Sequence, residues 1–493
     1  MIPIIQNSLK YTDKTAVIDQ GGSYSYSDLY RSAVNTAKAI KSLSENDSPV
    51  LYMIPSGFDY LKVQWGIWLC GRIAVPVHIA HPKQEIDYLI EDTGADLLIY
   101  DEQAVGHLVD FEQHNIRKIS INELESVRPI MDLKLDEINI HNDALMIYTS
   151  GTTGRPKGVV IGHQQLDAQI RSLTKAWNWS SDDRILNVLP MHHIHGMVNI
   201  SCCALYNGAV LEMHRKFEPD IVRFKMSSGE LTLFMAVPTI YHKLIEHFET
   251  LGQNEKDNWQ QGMKKMRLMV SGSAALPVSV LEKWNEISGH ILLERYGMTE
   301  IGMALSNPLE GERRPGTVGQ ALPFVSVKVM DELGNQINEP NTAGELFVKG
   351  ETIFKRYWNK TEETRMSFED EWFKTGDVVE FSADGYFKIL GRKSSDIIKS
   401  GAYKISALEI ENAMLAFPGI SECAVVGLPD DQWGEIIAAV VVGDISESEI
   451  RKRLKDCLAH YKHPRRYIFV DTLPRNAMGK IKKAEIVNTF FGA

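Results

Sequence analysis

Apolar residues in the first half of the chain come in short runs set apart by stretches of helical periodicity. Residues 50–53, 73–77, 97–100 and 118–121 read as buried strands, and the segments between them as helices. This alternation predicts βαβ units and a parallel sheet. Residues 15–19, Gly21-Gly22 and 23–27 read as a hairpin leading into a helix from Asp28, whose Leu29, Ala33, Ala37 and Ile40 share one face. The strand pattern returns at 184–189, 231–237, 266–271 and 291–294, with helical spacing between, as at 277–287. After Gly316 it gives way to glycine-punctuated strands at 325–330, 344–349 and 386–390, a small β-rich subdomain. Residues 391–396, GRKSSD, form a polar connector, and beyond it lies a compact α/β pattern with basic residues near its end. The expected fold class is therefore α/β, with a large N-terminal domain over 1–391 containing parallel sheets and the β-rich subdomain, and a small α/β domain over 392–493.

At 493 residues, 44% of them hydrophobic, the chain exceeds a single core, which supports two domains. A net charge of -11 and a pI near 5.8 give no overall footprint for nucleic acid or an anionic membrane. The least polar long stretches, 63–80 and 196–211, are interrupted by Arg72, Pro76, Asn199, Asn207 and Gly208, so no membrane span is expected. Cys70, Cys202, Cys203, Cys423 and Cys457 show neither zinc-site nor disulfide-framework spacing. With no targeting pattern in residues 1–14, a cytoplasmic location is expected.

The strongest chemical signal is YTSGTTGRPKGVV at 148–160. Thr149, Ser150, Thr152 and Thr153 supply hydroxyls, Gly151, Gly154 and Gly158 allow tight turns that present backbone amides to an anion, and Lys157 adds a positive charge. Following the apolar run 144–147, the loop is expected to join a strand to a helix and to bind nucleotide phosphates at the strand's carboxyl end. A Walker loop needs four residues between its glycines and Lys-Ser or Lys-Thr after the second, and this spacing fails.

The stretch resembles the signature loop of the acyl-adenylate-forming enzymes, the superfamily of acyl-CoA synthetases, peptide-synthetase adenylation domains and beetle luciferases. The resemblance implies a mobile C-terminal domain, the use of ATP, Mg²⁺ and CoA, and roles for further residues. In LERYGMTE at 293–300, Tyr296 would pack on adenine, Thr299 would meet the α-phosphate and Glu300 would hold Mg²⁺. SGSAA at 271–275, with Ser273 at its centre, resembles the stretch bordering the adenine. Asp377 would accept hydrogen bonds from the ribose hydroxyls, with Arg392 as a second ribose contact. Gly401, Ala402 and Tyr403 resemble the pantetheine-tunnel segment, although many relatives carry glycine where Ala402 stands. Lys480, on a glycine turn in PRNAMGKI at 474–481, matches the lysine that reaches the α-phosphate and the incoming carboxylate, while Lys482 and Lys483 are expected to be solvated.

Three histidines in MHHIHG at 191–196 invite a metal reading, but no cysteine or carboxylate stands nearby at ligand spacing. The position matches the acyl-pocket motif of the superfamily, which makes His193 and His195 pocket lining. Arg295, immediately before Tyr296, either pairs inside the protein with Glu294 or another acid, or takes a second carboxylate on the substrate. FMAVPTIY at 234–241, LMVSGSAALP at 268–277, LLERYGMTEIGMALSNP at 292–308 and DIIKSGAYKISALEIE at 396–411 resemble the malonyl-CoA synthetase branch. That resemblance implies a small-molecule carboxylate partner, malonate or methylmalonate, activated as an acyl-adenylate and passed to CoA. A ligase for another short- or medium-chain acid and an adenylation enzyme loading a carrier protein are the alternatives.

Overall fold

Strand Thr15–Asp19 turns back as Gly22–Ser25, and Ser25 then starts the helix Tyr26–Leu43 two residues earlier than the apolar spacing predicts. The cause is a capping box. Ser25 Oγ accepts the Asp28 N–H at 3.1 Å, and Asp28 Oδ2 accepts the Ser25 N–H at 3.0 Å. The computed structural model describes residues 2–44, 46–103, 116–128, 138–149, 155–401, 403–475 and 481–492.

Val50–Met53, Ala74–Pro76, Leu97–Tyr100 and Arg117–Ser120 pair in parallel as expected, forming a seven-stranded sheet with Asp143–Thr149, Lys157–Gly162 and the edge strand Arg356–Tyr357. The second series builds a nine-stranded sheet whose central strands, Leu268–Ser271, Leu233–Ala236, Arg184–Asn187 and Val210–Met213, are also parallel. Helix Phe58–Leu69 is buried nearly all round, Trp65 and Trp68 included, within one core that also holds Leu145 and Ile147 of the first sheet and Leu186 and Phe234 of the second.

One expectation fails here. Beyond the phosphate loop the chain enters strand Lys157–Gly162, antiparallel to Asp143–Thr149 with Thr149 opposite Lys157, and a helix begins only at His163. Val159, Val160 and Ile161 are β-branched and buried, which favours a strand over a helix. The loop therefore connects a hairpin. Its residues Ser150, Gly151, Thr152, Thr153 and Gly154 lie outside the described residues.

Val325–Met330, Gly344–Gly350 and Phe387–Arg392 make the expected β-rich unit with Trp372–Phe381, a strand the pattern did not predict, and all of these pairs are antiparallel. The last sheet, of Tyr403–Ser406, Ile397–Ser400, Gly434–Gly443, Ile420–Asp430 and Arg466–Phe469, has cores of its own, one built on Ile398, Ile410, Val425 and Ile450. No helix among the described residues is long and apolar enough to cross a membrane.

Candidate active site

Tyr296 lies on strand Leu293–Met298, and its hydroxyl donates to Asp377 Oδ2 of strand Trp372–Phe381. Asp377 stands opposite Arg392 in the antiparallel pair with Phe387–Arg392, so Arg392 Nε comes within 3.2 Å of Asp377 Oδ1, while its Nη1 donates to the Thr375 carbonyl. Strand pairing joins Asp377 to Arg392, and a side-chain hydrogen bond between two sheets joins Tyr296 to Asp377, gathering three residues proposed for adenosine from positions 81 and 15 residues apart (377 − 296 and 392 − 377).

Thr299 and Glu300 occupy the turn that follows Tyr296. Glu300 is buried, and burial raises its carboxyl above the ordinary range. Its Oε1 accepts the Tyr357 hydroxyl at 3.0 Å. Tyr357 reaches it because Arg356–Tyr357 pairs with Lys157–Gly162, setting Tyr357 opposite Val159. Lys157 Nζ lies 5.2 Å from the centre of the Tyr357 ring and 2.5 Å from Glu363 Oε2. Tyr357 and Glu363 escaped the sequence reading, because Tyr357 comes beside Lys157 and Glu300 only when strand Arg356–Tyr357 pairs with Lys157–Gly162, and Glu363 only through the helix Thr361–Met366 that follows that strand.

Glu294 and Arg295 face opposite sides of their strand. Glu294 Oε1 accepts the Gly316 N–H at 2.9 Å, and burial pushes its carboxyl up to about 8. Arg295, 4% exposed, points its Nη2 at Ser273 Oγ, 3.4 Å away, while its Nε has no hydrogen-bond partner. Among the described residues no carboxylate lies within ion-pair distance of it, so the internal pairing with Glu294 is absent. Burial lowers the guanidinium to about 9, which leaves it charged at neutral pH. Gly272 makes room for it: a Cβ there would stand 2.5 Å from Arg295 Cζ.

Ser273 Oγ is also 3.1 Å from His195 Nδ1, and Ser273 holds a left-handed backbone at φ 71°. Expected beside the adenine, Ser273 thus turns its hydroxyl toward the residues expected to line the acyl pocket. Burial, with Arg295 and His193 beside it, keeps His195 well below the usual imidazole range and therefore neutral. His193 lies against His192 at 3.9 Å between ring centres, the two rings tilted by 51°. Among the described residues no group of three or more His, Cys, Asp or Glu is placed to hold a metal ion. A π-helix, His195–Cys202, carries His195; nothing in the residue pattern announced it.

Against known families, residues 5–358 match the profile described as AMP-binding enzyme and residues 409–480 the AMP-binding enzyme C-terminal domain. The chain belongs to the AMP-binding enzyme family. It is 39% identical to the mitochondrial malonate–CoA ligase of Xenopus laevis, with 100% of this chain and 92% of that protein covered. It is 37% identical to the malonate–CoA ligase of Arabidopsis thaliana over 96% of this chain and 86% of that one. The crystal structure of ATP-bound MatB from Rhodopseudomonas palustris is similar with a TM-score of 0.89 at 30% identity, covering 99% of both chains. The apo structure of the same protein gives 0.79 over the same coverage.

In this AMP-binding enzyme the connector is held at both ends. The Lys393 N–H donates to the Gly376 carbonyl at 2.9 Å and its ammonium lies 2.8 Å from Glu345, while the Asp396 carbonyl accepts the Ala407 N–H at 2.8 Å. Ser394 and Ser395 lie between these tethers. Gly401, at φ 61°, turns the hairpin between Ile397–Ser400 and Tyr403–Ser406, and half-exposed Tyr403 stacks on Tyr461 at 4.2 Å. Ala402 and Lys480 lie outside the described residues. Lys483 corrects an expectation: it is enclosed, not solvated, with Asp396 and Glu411 around its ammonium.

Proposed function

We propose that this AMP-binding enzyme is an ATP-dependent malonate–CoA ligase. The observation that carries the substrate is Arg295, a buried cation that faces Ser273 and has no carboxylate partner among the described residues. A guanidinium so placed favours a second carboxylate on the substrate through paired hydrogen bonds. The malonate–CoA ligases of Xenopus and Arabidopsis, aligned over nearly the whole chain, support the same substrate.

In the first step one malonate carboxylate oxygen attacks the α-phosphorus of ATP; the bond to the bridging oxygen breaks and pyrophosphate leaves. In the second the CoA sulfur attacks the carbonyl carbon of malonyl-adenylate, AMP leaves with the electron pair of the broken C–O bond, and malonyl-CoA results. Arg295, His193 and His195 would receive the carboxylate that does not react. Tyr296, Asp377 and Arg392 would orient the adenosine, Thr149, Ser150, Gly151, Thr152, Thr153, Gly154 and Lys157 the phosphates, and Thr299 the α-phosphate. Glu300 suits Mg²⁺, being a buried oxygen donor whose raised carboxyl would gain from a dication. When bound, the ion neutralises phosphate charge. Lys480 would add its charge at the α-phosphate, where one preorganised donor is worth roughly 10²- to 10³-fold in rate. Gly401, Ala402 and Tyr403 would border CoA.

We divide the chain into domains 1–391 and 392–493, supported by the end of strand Phe387–Arg392 and by the gap between the two family matches. A cytoplasmic location is supported by five free cysteines; fractionation of cells producing the protein would test it. The substrate test is AMP release dependent on CoA and ATP, compared for malonate, methylmalonate, succinate, acetate and a medium-chain fatty acid. Malonate should dominate. Equal or better turnover of acetate or the fatty acid would leave a CoA ligase and remove malonate.

A further inference from the structure

Lys483 stands three residues after Lys480, and its ammonium lies 2.6 Å from Asp396 Oδ1 and 2.8 Å from Glu411 Oε1, all three side chains being nearly buried. An ammonium withdrawn from water is costly unless paired, so these carboxylates fix where the segment can sit. Glu411 belongs to helix Ala407–Leu415 and also accepts the Val425 N–H at 2.7 Å, which anchors it in the small sheet. Asp396 reaches the other way as well. Its Oδ2 accepts the Arg392 N–H at 2.9 Å, and its own N–H donates to the Arg392 carbonyl at 2.8 Å. One carboxylate therefore touches both the last residue of strand Phe387–Arg392 and the lysine that stands three positions beyond Lys480 in the chain.

We propose that Lys483 is a positioning residue: by clamping Asp396 of the connector to Glu411, it sets the place of the terminal segment from which Lys480 acts. This rests on the reading of Lys480 as the lysine that serves the α-phosphate. It follows that Asp396 moves with the small domain. Arg392, the first residue of the 392–493 range, is held in strand Phe387–Arg392, so turning the part beyond Ser394 and Ser395 breaks the Asp396–Arg392 contacts and leaves the Lys483 pair intact.

The test compares two half-reactions of the full-length enzyme: malonate-dependent exchange of labelled pyrophosphate into ATP, and malonyl-CoA formation from synthetic malonyl-adenylate. Lys483→Met and Asp396→Asn should each slow the exchange by about 10- to 100-fold, the scale of a misplaced catalytic group, with KM for ATP and malonate little changed. Thioester formation should stay within about twofold, because that step does not use Lys480. Lys483→Arg, which keeps the charge, should restore exchange. A parallel fall in both half-reactions, or no fall in either, overturns the proposal. If Lys483→Met does not fold, Asp396→Asn decides alone, since its amide oxygen still accepts from Arg392. Lys480→Ala separates the layers: exchange that survives it removes the underlying reading, whereas exchange lost there and intact in both clamp variants removes only the role of Lys483.

Discussion

Glu294 and Arg295 are adjacent in the chain and do not pair: Glu294 Oε1 takes the Gly316 N–H at 2.9 Å, and Arg295 Nη2 faces Ser273 Oγ at 3.4 Å on the other side of the strand. Strand alternation separates a carboxyl that burial keeps protonated from a guanidinium that burial leaves charged and without a counter-ion among the described residues. The first needs only a donor. The second needs an anion, and the substrate can bring one.

Truncating one partner of a buried charge pair costs about 2–5 kcal/mol. Arg295→Ala should therefore lower kcat/KM for malonate by on the order of 10² to 10³ while changing the low turnover of acetate little. Steady-state AMP release with both acids measures it, and an equal loss for both would mean that Arg295 supports the pocket without reading the second carboxylate.

Glu294 makes stability depend on pH. Its carboxyl is raised from 4.5 to about 8 in the folded chain, so between those values the folded state holds a proton that the unfolded state has released. The contribution is complete below pH 4.5 and is lost as pH rises through about 8, at no more than about 1.4 kcal/mol per pH unit. Glu294→Gln keeps an acceptor for Gly316 and removes the titration, so its urea midpoint should fall less than that of the parent between pH 5 and 8. Identical slopes would remove Glu294 as the cause.

Tyr357→Phe keeps the ring beneath Lys157 and removes the hydroxyl that orients Glu300 Oε1. The Mg²⁺ concentration giving half-maximal AMP release should rise about tenfold, the usual size of a lost partner behind a metal ligand. An unchanged midpoint would detach Glu300 from the metal.

Glu363 holds the Lys157 ammonium that the phosphates of ATP would otherwise engage, in a pair about one-third exposed. Screening limits such a pair to about 1 kcal/mol. Glu363→Gln should lower KM for ATP by about two- to fivefold with kcat preserved, and a raised KM would show that Glu363 orders Lys157 for ATP instead.

Much of the fold was legible because apolar runs of four to six residues leave a buried strand few alternatives. Val50–Met53, Leu97–Tyr100 and Val325–Met330 begin and end where the pattern places them. The segment after the phosphate loop misled because its glycines mask a β-branched run whose partners, Asp143–Thr149 and Arg356–Tyr357, come from both directions along the chain. The candidate site divides in the same way. Tyr296, Glu300, Asp377 and Arg392 were visible as residue types in motifs, whereas Tyr357 reaches Lys157 and Glu300 only through sheet pairing, and Glu363 reaches Lys157 from the helix Thr361–Met366 beyond that edge strand.

The sequence by itself determined the α/β alternation, the β-rich unit, the connector and the chemistry available at each motif, because these depend on local periodicity and residue type. Only the tertiary structure decided that Arg295 has no counter-ion among the described residues, that Ser273 turns to His195, and that Lys483 leaves solvent for Asp396 and Glu411. A charged side chain's partner is chosen by what the fold brings within a few ångströms after water is excluded, and separation along the chain does not encode that distance.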